Sequence, residues 1–287
     1  MTVLDVLQRS TAYLGERGVE SARLNSELIL SHVLEKPRLR LYLEFDREVP
    51  EPALSRAREL VRRRGQREPL QHLTGTAGFL GLDLRVTPAV LVPRPETELL
   101  AQLATERLRS APSEPPRRAL DLGTGSGCLA IALAVAVPDA AIHAIDLSPE
   151  ALEVARDNAA RNQAERIQFH CGDGFAGLPE GTPPFDVLVT NPPYIPTAEI
   201  ASLEPEVRDH DPRLALDGGV DGLDFYRRLS REAAAWLRPG GSLLAEFGDG
   251  QAPALVELFI SGGWTVDGVE KDLSGRERVL IVRPPSR

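Results

Sequence analysis

Over the first 68 residues, apolar positions recur at the helical period of about 3.6. Leu4, Leu7, Tyr13 and Leu14 form one stripe, and Ala22, Leu24, Leu28, Ile29 and Val33 form a second. Leu54, Ala57, Leu60 and Val61 form a third, with Pro37, Pro50 and Pro52 as punctuation. Helices this short are marginal alone in water and must pack on one another. A small helical domain over residues 1–70 is therefore expected. Residues 71–97 change character. Phe79-Leu80, Leu82, Leu84 and Val86, broken by glycines, predict a β-hairpin or extended linker. Helix resumes at Leu99–Leu108, and the proline-containing stretch Ser110–Arg117 reads as a surface loop.

From Arg118 onward strand and helix alternate. Strands are predicted at Ala119–Leu122, Ile142–Asp146, Ile167–Cys171, Val187–Thr190 and Ser242–Phe247, with two more near Trp264–Val269 and Arg278–Val282. Helices fill the gaps at Cys128–Val135, Pro149–Asn162, Leu223–Trp236 and Pro253–Ser261. Apolar strands separated by helices predict a mostly parallel sheet covered on both faces. The expected fold is thus α/β, a seven-stranded Rossmann-like domain over residues 98–287 behind the hairpin and the helical domain.

Charge narrows the function. The net charge is −9, but residues 1–70 carry 13 Lys+Arg against 11 Asp+Glu, whereas the remainder carries 20 against 31. An acidic catalytic half is poorly suited to holding long phosphate backbones. The one basic cluster, Arg62-Arg63-Arg64 with Arg67, reads as a solvated helix face. No apolar run reaches the ~18–20 residues that a membrane span needs. The N-terminus MTVLDVLQRS has no signal-peptide pattern. Cys128 and Cys171 imply no disulfide framework and are expected to be reduced and mostly buried. The five histidines show no metal-ligand spacing. A cytoplasmic protein without a metal site is the expectation.

The candidate chemistry lies at strand ends. The first strand of the alternating region runs into Asp121-Leu122-Gly123-Thr124-Gly125-Ser126-Gly127 and then a helix. Glycines suit a tight turn against which a ligand lies close. The next strand ends in Asp146, 23 residues after Gly123, where a carboxylate can accept hydrogen bonds from both ribose hydroxyls. NAD is the rival ligand, but Leu129-Ala130 replace the third glycine of its fingerprint, and no P-loop lysine follows. The third strand ends in Cys171-Gly172-Asp173-Gly174-Phe175, an acid and an aromatic that could meet an adenine ring. Together these three strand ends resemble class I methyltransferases, which use S-adenosyl-L-methionine.

The fourth strand ends in Asn191-Pro192-Pro193-Tyr194. Ligands of open α/β sheets bind beyond the carboxyl ends of the strands, so all four ends converge on one crevice. An amide or aromatic-amine nitrogen is a weak nucleophile because its lone pair is delocalised. Two acceptors, the Asn191 side-chain carbonyl and the Pro192 peptide carbonyl held by proline's restricted φ, would orient the NH2 group and stabilise the growing positive charge. Tyr194 offers a flat face. Orientation alone can contribute ~7–11 kcal/mol. The predicted reaction is methylation of a planar NH2-bearing nitrogen.

Several segments together closely resemble the HemK/PrmC family of peptide-chain release factor glutamine methyltransferases. They are Pro69-Leu-Gln-His-Leu-Thr-Gly75, Leu91-Val-Pro-Arg-Pro-Glu-Thr-Glu98, the glycine loop, Asn191–Ile195, Pro212–Leu216 with Asp221–Leu223, and Asp272–Val279. The resemblance covers nearly the whole chain. It implies methylation, at N5, of the glutamine in the Gly-Gly-Gln motif of class I release factors, and a helical N-terminal domain that contacts the release factor. Cofactor contacts carried over are Gly123 to Gly127, Asp146, Asp173, Gly174 or Phe175, and Asn191. Asn191, Pro192, Pro193 and Tyr194 would bind the substrate glutamine. Some members carry Trp where this chain has Gly174, so the adenine wall would have to come from Phe175. Arg94 and Glu96 are candidates to close over the crevice. A monomer is expected, with no direct nucleic-acid partner. The alternatives are an adenine-N6 nucleic-acid methyltransferase, which shares Asn-Pro-Pro-Tyr and would need a basic recognition surface, and a non-catalytic partner protein on the same fold.

Overall fold

A computed structural model of the chain describes residues 1–111 and 116–285. Half of the predicted Ser110–Arg117 loop, residues 112–115, therefore lies outside the described residues. The chain divides into two compact units, Met1–Thr76 with Glu204–His210, and Ala77–Leu203 with Asp211–Arg287.

The first unit holds α1 (Val3–Gly15), α2 (Ala22–Leu34), α3 (Arg38–Leu43), α4 (Glu51–Gly65) and α5 (Leu70–Thr74). A capping box opens α1: the Thr2 hydroxyl accepts from the Asp5 N–H at 3.2 Å, and the Asp5 carboxylate accepts from the Thr2 N–H at 3.0 Å. The predicted stripes hold on α1 and α4, where Leu7, Leu14, Leu54, Ala57, Leu60 and Val61 are buried. On α2 the stripe is displaced: Leu24 is exposed, whereas Asn25, Ser26 and Glu27 are buried beside Ile29 and Leu30. Polar partners explain the displacement. Glu27 accepts from Arg23 Nε and from the Tyr42 hydroxyl, both at 2.6 Å, and Asn25 Oδ1 accepts from Arg64 Nε at 2.8 Å.

The arginine cluster also departs from its expected solvated face. Arg64 is 7% exposed and donates to Glu206 Oε1 at 2.8 Å. Arg67 donates to the same oxygen at 2.7 Å and to Glu204 at 2.6 Å, and Arg63 pairs with Glu68. Of the four, only Arg62 remains exposed. A guanidinium taken out of water needs a carboxylate, and Arg64 and Arg67 find theirs in the returning segment Glu204–His210, which carries one helical turn at Pro205–Arg208.

At the start of the second unit, β1 (Thr76–Phe79), whose first residue belongs to the first unit, and β2 (Leu82–Arg85) form a hairpin. Its two-residue turn, Leu80-Gly81, has φ of +48° and +80°, the combination that matches strand twist in tight hairpins. The helix α6 (Pro95–Ser110) follows. The main sheet comprises β3 (Arg118–Leu122), β4 (Ala141–Asp146), β5 (Gln168–Cys171), β6 (Phe185–Thr190), β7 (Leu237–Glu246), β8 (Thr265–Lys271) and β9 (Glu277–Arg283). Their order is β5-β4-β3-β6-β7-β9-β8. The first five are parallel, and β9 runs antiparallel to both β7 and β8.

Alternation along the strands separates two cores. Ala119, Ile142 and Val187 face Leu100, Ala104 and the helix α7 (Cys128–Ala136), whereas Leu120, Ile145 and Leu188 face Tyr226, Leu229, Leu255 and Phe259. The helix α8 (Pro149–Arg161) packs Ala151 and Val154 against Val86, Val90 and Val92, which follow the hairpin. The chain moves from β3 outward to β5 and then crosses back to β6 on the other side of β3. That reversal opens a crevice at the carboxyl ends of β3 and β6.

Candidate active site

The crevice is a cavity of about 590 Å³ within the second unit. It is a size common for small-molecule sites. Gly123, Thr124, Gly125 and Ser126 line one wall, Asp146, Asp173 and Gly174 another, and Asn191, Pro192 and Pro193 a third. The four strand ends predicted to converge therefore do so. Arg94 also lines the cavity and donates to the buried Asp211 at 2.6 Å.

The glycine loop has its shape for steric reasons. Gly123 and Gly125 sit at φ +76° and +52°, and a Cβ on either would meet nothing within 4 Å, so the backbone stands open. Gly127 plays a different part and does not line the cavity. It caps α7 at φ +83°, and a Cβ there would lie 3.1 Å from Ile131 and 3.2 Å from Ala155, so glycine lets α7 and α8 approach. Beneath the loop, Asp121 is fully buried and accepts from the Thr124 hydroxyl at 2.6 Å and the Ala130 N–H at 3.1 Å. Burial raises its pKa to about 7. Asp146 accepts from the backbone N–H groups of Gly125 at 2.8 Å and Ser148 at 2.9 Å, so its carboxylate is fixed at the mouth of the strand.

Besides Gly127, two further predicted contacts lie outside the cavity lining. Phe175 is buried, stacks on Trp236 with centroids 5.7 Å apart, and belongs to the core rather than to the cavity wall. Arg228 takes that place. It lines the cavity, donates through Nη2 to the Asp173 carbonyl at 2.8 Å, and pairs with the Asp173 carboxylate. Gly174 makes room for it, since a Cβ there would lie 2.6 Å from Arg228 Nη2. Tyr194 also stands outside the lining set. Its carbonyl accepts from Gln251 Nε2 at 2.9 Å, and burial raises its hydroxyl pKa to about 12. Gly222 and Gly248 admit it: a Cβ on the first would lie 2.3 Å from the Tyr194 oxygen, and one on the second 3.1 Å from its ring. Cys171 is exposed, contrary to the expectation of mostly buried thiols.

Four supporting residues were not singled out by sequence reasoning. Asn158 on α8 donates to the Ser126 carbonyl and to the Arg85 carbonyl, both at 2.9 Å, joining the glycine loop to the hairpin. A lone asparagine on the otherwise apolar face of α8 was its available signal. Thr97 and Glu246 flank Asn191, and Gln251 clamps the loop after it.

Residues 5–75 match the PrmC N-terminal domain family, and residues 97–203 match the methyltransferase small domain. A release factor glutamine methyltransferase of Geobacter sulfurreducens is 44% identical over 279 residues, covering 97% of this chain and 95% of that protein. The chain belongs to the release factor glutamine methyltransferase family. A second member, from Deinococcus radiodurans, is 46% identical over 283 residues and 99% of each chain. The fold resembles a solved methyltransferase from Pyrococcus furiosus, with a TM-score of 0.52 and 22% identity over 72% of this chain and 91% of that one. This methyltransferase uses S-adenosyl-L-methionine. Its residues fit that group: open glycine backbone at one wall, a fixed carboxylate at Asp146, and a polar end at Asp173 and Arg228. No helix among the described residues is long and apolar enough to cross a membrane.

Proposed function

We propose that this methyltransferase transfers a methyl group from S-adenosyl-L-methionine to the side-chain amide nitrogen, N5, of the glutamine in the Gly-Gly-Gln motif of class I peptide-chain release factors. The observation that carries the reading is the placement of Asn191 and Pro192 on the same cavity wall system as the glycine loop, with Asn191 Nδ2 engaged by Thr97 at 3.1 Å. That leaves Asn191 Oδ1 as an acceptor for a substrate N–H, and the Pro192 carbonyl as a second. The bound cofactor supplies an electrophilic methyl on a sulfonium. The protein's part is to hold the amide nitrogen in line with it and to stabilise the positive charge that develops there. The nitrogen's extra proton leaves after transfer, so no general base is required.

Asp146 would accept from the ribose hydroxyls, and Asp173 from the adenine amino group. Arg228, with its planar guanidinium beside Gly174, would supply the adenine wall that Phe175 does not. Tyr194 would shape the loop from below rather than stack on the substrate. The helical unit would contact the release factor, and the enzyme would act as a monomer in the cytoplasm. The relatives' shared name supports the substrate assignment. The adenine-N6 reading loses support because Arg63, Arg64 and Arg67, which would have supplied phosphate contacts, are paired with Glu68, Glu204 and Glu206.

The test is incubation with labelled cofactor and a purified class I release factor, followed by mass spectrometry of the Gly-Gly-Gln peptide. One added methyl on the glutamine amide is expected. An unmodified glutamine, in the presence of an enzyme that demonstrably binds cofactor, would overturn the proposal.

A further inference from the structure

Behind Asn191 stands a carboxyl group that the methyl-transfer reading does not use. Glu246 is the last residue of β7 and is 1% exposed. The parallel register pairs Thr190 of β6 with Ala245 of β7, which brings the next residue of each strand, Asn191 and Glu246, side by side. The Glu246 carboxyl lies beside the side chains of Thr97 and Asn191, both of which favour its charged form, while its Oε2 has no hydrogen-bond partner among the described residues. Other groups bear on it from every side. Glu96 on α6 disfavours its charge and Arg278 on β9 favours it, while Tyr194, Tyr226 and Cys128 face it as neutral groups. Burial dominates and raises its pKa to about 7.

A buried carboxyl with an unpartnered oxygen is costly, and a glutamine or leucine would serve a purely structural position with less penalty. The cost makes sense if the charge acts on Asn191. The Asn191 amide has two N–H groups, one given to Thr97 Oγ1. We propose that Glu246 is a positioning residue: as a carboxylate it accepts the second Asn191 N–H, fixes Oδ1 toward the substrate amide and polarises it. When protonated, Glu246 instead offers an O–H donor that competes for Asn191 Oδ1, and transfer slows. This inference rests on the assignment of Asn191 as the acceptor for the substrate N–H.

The test is the single-turnover rate of methyl transfer to a class I release factor between pH 6 and 9, for the wild type, Glu246→Gln and Asn191→Ala, with S-adenosylhomocysteine affinity measured by calorimetry in parallel. The wild-type rate should rise about tenfold from pH 6 to pH 8, the change expected for one group ionising near the middle of that interval. Glu246→Gln should be at least about tenfold slower at pH 8, with a flat profile and an S-adenosylhomocysteine Kd within about twofold of wild type. A wild-type profile flat over this range overturns the inference without recourse to any variant. So does a folded Glu246→Gln enzyme that keeps the wild-type rate or the acid limb. Wild-type turnover by Asn191→Ala would instead overturn the acceptor assignment itself, and this inference with it.

Discussion

Asn191 donates through Nδ2 to Thr97 Oγ1 at 3.1 Å, joining the end of β6 to the first turn of α6. The two residues are 94 positions apart in the chain. Thr97 is buried, so its hydroxyl has few alternative partners and the amide cannot turn over freely. The geometry makes the asparagine a directed acceptor rather than a rotating one, and its removal should affect turnover more than binding.

Asn191→Ala is expected to lower kcat by roughly 100-fold or more, the scale of losing one preorganised group that stabilises transition-state charge. Thr97→Val, which keeps the shape but loses the acceptor, should lower kcat by a smaller factor, on the order of tenfold. Cofactor affinity should change far less in both. Steady-state kinetics with calorimetry checks this, and a loss seen only in KM would contradict it.

Asp146→Ala should act on cofactor binding instead. A carboxylate accepting from ribose hydroxyls contributes about 1.5–3 kcal/mol, so the Kd for S-adenosylhomocysteine should rise on the order of 10- to 100-fold. Arg228→Ala should raise it by a smaller factor, in line with the ~0.5–2 kcal/mol of a guanidinium over an aromatic face. Unchanged affinity in Arg228→Ala would return the adenine wall to some other side chain.

Arg64→Ala should destabilise the helical unit by up to about 3 kcal/mol, because it removes the buried partner of Asn25 and Glu206. Urea unfolding followed by circular dichroism reads the shift. An unchanged midpoint would mean that Arg67 alone satisfies Glu206.

Stability should also depend on pH in a particular direction. Asp121 and Glu246 have their pKa values raised by burial from 3.8 and 4.5 to about 7. The folded state therefore binds these protons more tightly than the unfolded chain, and the associated stabilisation is full below pH 4 and lost as pH rises through 7. Asp221 and Asp272 act oppositely: Arg227 beside the first and the Ser274 hydroxyl beside the second lower them to about 2, so their contribution is present above pH 4 and lost as pH falls through 2. Glu246→Gln should accordingly unfold at a higher temperature than wild type at pH 8, with the gap closing toward pH 5. Thermal unfolding at several pH values tests this, and a variant less stable at pH 8 would show that the charged form is not penalised.

How much could be read in advance depended on how local the cause was. The strands β3, β4, β6, β7 and β9 were legible because each centres on a short apolar run, and the glycine loop because positive φ at Gly123 and Gly125 leaves a mark in composition. The displaced stripe on α2 was not legible. Burial of Asn25 and Glu27 depends on Arg64 and Tyr42, which approach only after α3 and α4 have packed. Phe175 misled for a similar reason: an aromatic at a strand end fits a ring-binding wall or a core equally well, and Trp236, 61 positions later, draws it into the core.

The sequence by itself determined the element types, the parallel sheet and the residues that would gather at its carboxyl edge, because hydrophobic period, glycine conformation and strand-end position are local properties. Only the tertiary structure decided which partners those residues meet. It drew Arg64 and Arg67 from solvent by bringing Glu204 and Glu206 back to them, put Arg228 rather than Phe175 in the cavity lining beside Gly174, and set Thr97 and Glu246 behind Asn191. Each of those choices joins positions far apart in the chain, where no local period carries information and only the closing of the fold supplies the neighbour.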